Sequence, residues 1–226
     1  MIKNILDDYH MDFKENWKEV FSIGSLLLIV FNSFFIPAIQ AIGTGQPILK
    51  VIIYGMFLLI VNLSMQLGML YSNRLGRIYN VMPISNQEKK QYLLTGYWIR
   101  VLGSMFVCTG YILGMLLLKL ISWQMAAFMW FVLFFLFLLN NTHTKAAQKK
   151  ATVDEVMTAA HWVGDIWGIL LCVIYIPVEF SGGDYDLLII IIMTVGFISL
   201  VGASIVAMKQ CYKTKMKEID AGLPAK

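Results

Sequence analysis

A chain of 226 residues with 58% hydrophobic and only 14% charged side chains lies far from the soluble average, in which charge is nearer about a quarter, and its mean hydropathy is +0.70. That composition points to a membrane and leaves no room for a second globular domain. The net charge of +4 does not imply nucleic acid, because the basic residues are divided among short segments and no basic and aromatic patch of the required extent exists.

Residues 1–19 form the first unit. Ile2, Ile5, Leu6, Tyr9, Phe13, Trp17 and Phe21 recur every three or four positions while Lys3, Asp7, Asp8, Lys14, Glu15 and Lys18 fill the rest, which is the period of an amphipathic helix. Such a helix lies in the headgroup plane, and Trp17 and Phe21 beside the first apolar stretch favour the interface over solvent. Five acidic residues and no cleavage signal set this segment apart from a removable signal peptide. It is expected to belong to the mature protein.

Six apolar stretches of bilayer length follow, at about 20–42, 48–70, 99–121, 123–140, 161–178 and 187–208, since about 20 apolar residues cover a 30 Å hydrocarbon core. Span one contains Asn32, Ser33, Pro37 and Gln40. Pro37 removes a backbone hydrogen bond and crowds the Ser33 carbonyl, so a kink is expected, with Asn32 and Gln40 on the face of Pro37. Span two places Asn62 and Gln66 at i and i+4. Side-chain amides are costly toward lipid, so each polar stripe either bonds a neighbouring helix or lines a cavity.

The later spans carry packing signals. Gly110 with Gly114, Gly164 with Gly168, and Ser199 with Ala203 have the small-x-x-x-small spacing that lets helices approach closely. Span four distributes Phe128, Trp130, Phe131, Phe134, Phe135 and Phe137 around the helix with no polar stripe, and is expected to face lipid. Cys108, Cys172 and Cys211 read as free thiols rather than a disulfide framework. The connections on one side are minimal: residues 43–47, a turn near Ser122, and the acidic stretch from Glu179 to Asp186.

Charge gives the orientation. With the N-terminus in the cytosol, sixteen of the eighteen Lys and Arg fall inside and only Lys50 and Lys119 fall outside, the bias that sets orientation by the positive-inside rule. Both ends are therefore expected in the cytosol. The chain then invests in the cytosolic loop 71–98, where Ser85 and Glu88 form a capping box that starts a helix just after Pro83 and Ile84 and runs it on toward span three. Ahead of the box, Leu75, Ile78 and Tyr79 flanked by Arg74 and Arg77 make a short amphipathic surface suited to a groove on a soluble partner.

This order resembles the permease subunits of ABC-2 type exporters, in which span two is followed by a polar charged cluster, a glycine, a short apolar helix and Pro-[Leu/Ile]-Ser at the entrance to span three. Arg74, Gly76, Tyr79 and Pro83-Ile84-Ser85 match that pattern, and the likeness extends to the N-terminal helix, the six spans and the two cytosolic ends. Asn73 stands where the family has an acidic residue, and the outer segment between spans five and six is shorter than in lipid or polysaccharide exporters. The chain is most similar to small two-gene bacterial exporters and immunity transporters for antimicrobial peptides.

The resemblance implies an all-α, polytopic protein of the bacterial plasma membrane: an interfacial helix at 1–19, a six-span domain at 20–208 with the loop at 71–98, and a cytosolic tail at 209–226. It implies that the segment from Arg74 to Met82, with Leu75, Gly76, Arg77, Ile78 and Tyr79 and followed by Pro83, Ile84 and Ser85, is the coupling helix that inserts into an ATPase subunit. ATP and Mg would sit on that partner, because no Gly-x-x-x-x-Gly-Lys-[Ser/Thr] occurs here to cradle phosphates. A second permease protomer would meet this one along spans one and five, at Gly164 and Gly168. The path would be lined from spans one, two and five, by Asn32, Gln40, Asn62, Gln66 and Asp165, for an amphipathic or hydrophobic substrate such as a peptide or antibiotic.

Two other readings stay open at the level of sequence. A secondary transporter or channel would show inverted repeats with broken helices near the midplane, of which Pro37 and Pro177 give a faint sign. An intramembrane enzyme would draw on His143, His161, Asp165 and Glu179. His161 and Asp165 are one helical turn apart, although interfacial polarity and a buried hydrogen bond explain them as well. No His-Glu-x-x-His, paired-glutamate protease motif or Gly-x-Ser-x-Gly occurs.

Overall fold

The structure, a computed structural model, describes residues 1–20, 22–44, 48–70, 84–142, 159–168, 170–171 and 187–220. Among the described residues six long helices run in chain order: α1 (Ile2–Val20), α2 (Ile23–Thr44), α3 (Ile48–Leu70), α4 (Asn86–Leu117), α5 (Trp123–Asn140) and α6 (Leu187–Asp220). Residues 159–168, with 170 and 171, are helical as well. Among the described residues there is no strand. Among the described residues four stretches are long and apolar enough to cross a membrane: Ile48–Gln66, Asn86–Leu117, Trp123–Asn140 and Leu187–Lys217.

The helix boundaries follow local chemistry. Ser85 caps α4, its hydroxyl accepting from the Glu88 amide while the Glu88 carboxylate accepts from the Ser85 amide. The capped helix and the third apolar stretch are one helix of 32 residues, about 48 Å at 1.5 Å per residue. It overruns a 30 Å core, so its polar first turns stand outside the apolar part. At its far end Leu120 N–H bonds Met115 O at 2.9 Å and Lys119 N–H bonds Leu116 O at 3.0 Å, the paired bonds of a Schellman stop. Lys119 takes the left-handed position, at φ 55°. Ser122 then caps α5 through the Met125 amide at 3.3 Å.

The centre of the bundle is α5. Of its span 56% is buried inside the bundle, against 28%, 33% and 22% for the spans of α3, α4 and α6. This corrects the lipid-facing position expected for span four: a helix apolar on every side suits a core that surrounds it as well as it suits lipid. Met125, Met129, Leu133 and Phe137 face α3 and α4 in one large core cluster, while Val132 and Leu136 pack with Leu171 and Leu200. Polar side chains tie the helices through backbone carbonyls. Tyr97 Oη donates to Leu138 O at 2.9 Å, Tyr111 Oη to Ile53 O at 2.8 Å, Asn140 Nδ2 to Met65 O at 2.9 Å, and Ser204 Oγ to Phe135 O at 2.9 Å.

The hairpin of α2 and α3 closes on small residues. A Cβ at Gly55 would stand 2.2 Å from the Phe34 ring, so glycine is what lets that ring seat. Asn62 Nδ2 donates to Ser33 Oγ at 3.3 Å and to Leu58 O at 2.9 Å. The buried face of α2 carries Ser33 and Pro37, whereas Asn32 is exposed. Five residues separate Asn32 from Pro37, about 140° around a helix of 3.6 residues per turn, so the shared face expected for them does not form.

Candidate functional site at the α1 end of the bundle

The amphipathic helix α1 docks by part of its apolar surface. Ile5 is completely buried, in a cluster with Tyr92 and Leu93 of α4 and Ile219 of α6. Burying a side chain of that size contributes about 1.5–3 kcal/mol. Tyr9 Oη donates to Gly96 O at 2.7 Å, and the Tyr92 hydroxyl donates to the Asp8 carboxylate. The guanidinium of Arg100, itself buried, lies 5.8 Å from the centre of the Tyr9 ring, within cation–π range. A second stripe, Ile2, Leu6, Phe13 and Trp17, stays exposed, which suits a helix lying at a membrane surface.

The end of α6 closes the same assembly. Lys90 Nζ sits 2.8 Å from Asp220 Oδ1. Both side chains are substantially exposed, so the pair contributes at most about 1 kcal/mol, and its value is positional. Three segments from the beginning, middle and end of the chain thus meet on the first four turns of α4. At the start of those turns, the side-chain and backbone hydrogen bonds of Ser85 hold the fully exposed Glu88 carboxyl below its ordinary range.

Sequence reasoning missed Tyr9, Tyr92, Gly96 and Arg100 as one contact set. The apolar period of α1 contains Tyr9, but nothing local announces its acceptor 87 residues away.

The residues singled out from the sequence distribute as follows. Arg74, Leu75, Gly76, Arg77, Ile78, Tyr79 and Pro83 lie outside the described residues, as does the side chain of Gln40. Ile84 and Ser85 lead into α4. Asn62 is half-buried and satisfied within the α2–α3 hairpin. Gln66 is half-buried one turn further along α3, and Asp165 is exposed on the helical segment 159–168. His161 is buried beside Thr142, with its Nε2 2.7 Å from Thr142 Oγ1, which is the buried hydrogen bond that its position suggested. Among the described residues no three His, Cys, Asp or Glu side chains come together.

The glycine strip expected at a dimer seam is covered inside the chain. A Cβ at Gly164 would stand 2.3 Å from Leu139 Cδ2, and one at Gly168 would stand 2.4 Å from Leu136 Cδ2. The close approach implied by the spacing is therefore made with α5 of the same molecule. By contrast, nothing lies within 4 Å of a Cβ at Gly110 or Gly114.

Comparison of the chain with protein families, curated proteins and solved structures returned no match. The functional reading therefore rests on the residues themselves.

Proposed function

We propose that this chain is the permease subunit of an ATP-driven exporter of the ABC-2 type in a bacterial plasma membrane. It would cross the membrane six times with both termini in the cytosol, pair with a second permease protomer, and be powered by separate ATPase subunits that hold ATP and Mg. The observation that carries this reading is the start of α4. The loop with the Arg74–Tyr79 surface and Pro83-Ile84-Ser85 leads at Ser85 into a capped, unbroken helix of 32 residues, whose first turns are joined to α1 and to the end of α6.

That arrangement suits a lever. A displacement of residues 74–82 by an ATPase would enter α4 at its capped start, Ser85. Because Ile5, Tyr9 and Asp220 hold α1 and α6 to the same turns, the three helix ends would move as one body, the kind of rigid-element shift used in alternating access. The α1 end is then cytosolic, in keeping with Lys209, Lys213, Lys215 and Lys217 at the end of α6. The substrate class is amphipathic or hydrophobic, such as a peptide or antibiotic, because the spans supply few polar groups. Asn32, Gln40, Gln66 and Asp165 are the path candidates. Asn62 is better read as a bond within the hairpin.

The test begins with whether a neighbouring reading frame encodes a P-loop ATPase, and continues with expression of this chain with and without that protein. Copurification of the two proteins, and drug or peptide resistance that requires both and an intact P-loop lysine in the ATPase, are the expected results. Resistance conferred by this chain alone would overturn the proposal.

A further inference from the structure

Between α4 and α6, next to the α1 clamp, lies a cavity of about 290 Å³. Its walls are almost wholly apolar, formed by Leu93, Tyr97, Met208 and Met216, with Trp98 and Tyr212 also lining it. Lys209, which is exposed, and Lys215, which is buried, line it too. Ligand pockets run about 300–1,000 Å³, so this one sits at the small end and suits an alkyl chain rather than a bulky transported molecule.

Its level along the bundle says what that chain belongs to. The apolar run of α6 ends at Met208, and four lysines follow within nine residues. On α4, Arg100 is the last charge before the apolar stretch that reaches Lys119. The cavity therefore straddles the boundary between hydrocarbon and headgroups, where Trp and Tyr concentrate and where an exposed lysine such as Lys209 reaches outward from its apolar stem. Leu94 and Tyr212, close to half-exposed at 43% and 45%, leave its mouth open at the flank of the bundle.

We propose that this cavity is a binding site for one acidic phospholipid of the adjacent leaflet, with an acyl chain inside it and the phosphate held by the exposed Lys209. Charge complementarity selects the acidic headgroup, and the apolar interior selects a lipid over a free anion. A lipid seated there bridges α4 and α6 beside the clamp, and so stabilises the end of the bundle that holds α1.

The experiment uses the full chain, purified in neutral detergent and stripped of lipid, with phosphatidylglycerol or phosphatidylcholine added and bound lipid counted by native mass spectrometry. One phosphatidylglycerol per chain is expected to survive activation that removes phosphatidylcholine. A lysine near anionic lipid contributes about a factor of five in affinity, so Lys209→Gln should weaken retention ~5-fold. Met208→Trp fills the cavity while leaving the charges in place, and should abolish retention. Millimolar inorganic phosphate should not displace the lipid.

Cys211 also lines the cavity and is 8% exposed. In the unaltered chain, phosphatidylglycerol should slow its alkylation while phosphatidylcholine does not, which keeps the proposal decidable if a variant fails to fold. Equal retention of the two lipids, undiminished retention in Met208→Trp, displacement by phosphate, or no protection of Cys211 would each overturn it. These readouts concern the cavity alone and do not depend on the transport reading.

Discussion

The Tyr9 hydroxyl donates to the carbonyl oxygen of Gly96 at 2.7 Å, and it reaches that oxygen because residue 96 carries no Cβ. A methyl group there would stand 2.9 Å from the same hydroxyl. Gly96→Ala is expected to push Tyr9 off its acceptor, with the lost bond costing about 1 kcal/mol. Tyr9→Phe should cost a similar amount without the push. Amide hydrogen exchange across residues 2–20 measures both, and faster exchange is expected in each, more so in Gly96→Ala. Unchanged protection would mean that Ile5 and the Tyr92–Asp8 bond hold α1 without the Tyr9 contact.

Gly164 gives a sharper steric test. Its missing Cβ is replaced by Leu139 Cδ2, which would lie 2.3 Å away, and Leu139 is completely buried. Gly164→Ala should overpack the contact and cost about 1–3 kcal/mol. Leu139→Ala combined with it should recover part of that loss, because the two side chains compete for one space. Thermal stability in detergent reads the cycle. Strict additivity of the two substitutions would contradict the contact.

How much of this was legible in the sequence depended on whether the deciding partner was local. Ser85 and Glu88 are three residues apart and announce the start of α4 by themselves; the period of α1 is equally local. Asn62 was recognisable as polar in an apolar helix, but only the hairpin reveals that Ser33 receives it. The place of α5 was misjudged because an aromatic helix without a polar face looks the same whether lipid or protein surrounds it. Likewise, Gly164 and Gly168 marked a close approach without saying to which helix, and the answer lies in Leu139 and Leu136 of the same chain.

The stop of α4 carries an unusual residue. Lys119 holds the left-handed position, at φ 55°, where glycine is the usual occupant and a side chain costs about 1–2 kcal/mol. Lys119→Gly is expected to raise stability, by up to about 1 kcal/mol after the entropy of the glycine is offset. A thermal melt in detergent shows it as a higher midpoint, and a lower midpoint would mean that the Lys119 side chain itself supports the turn.

Orientation is tested by chemical labelling. In a variant lacking its native cysteines, Gly45→Cys or Gly183→Cys should react with a membrane-impermeant maleimide in intact cells. Lys149→Cys and Lys213→Cys should react only after permeabilisation. The reason is that sixteen of eighteen basic residues would fall on one side of the proposed six-span arrangement. Lys213 is preferred to Lys215 as a probe because Lys215 is buried. Labelling of the Lys149 position from outside would overturn the six-span orientation.

The central claim is that a separate ATPase drives this chain through residues 74–82, and the most direct measurement is the effect of Ile78→Asp with Tyr79→Asp. An unpaired charge placed in a desolvated contact costs about 3–5 kcal/mol, enough to lower association by at least a hundredfold, while a loop outside the bilayer leaves insertion intact. The measurement is copurification of the proposed ATPase partner, scored against membrane abundance of the variant and ATP-dependent resistance. The account predicts loss of both association and resistance at normal abundance. Full partner binding and full activity in the double variant would contradict it.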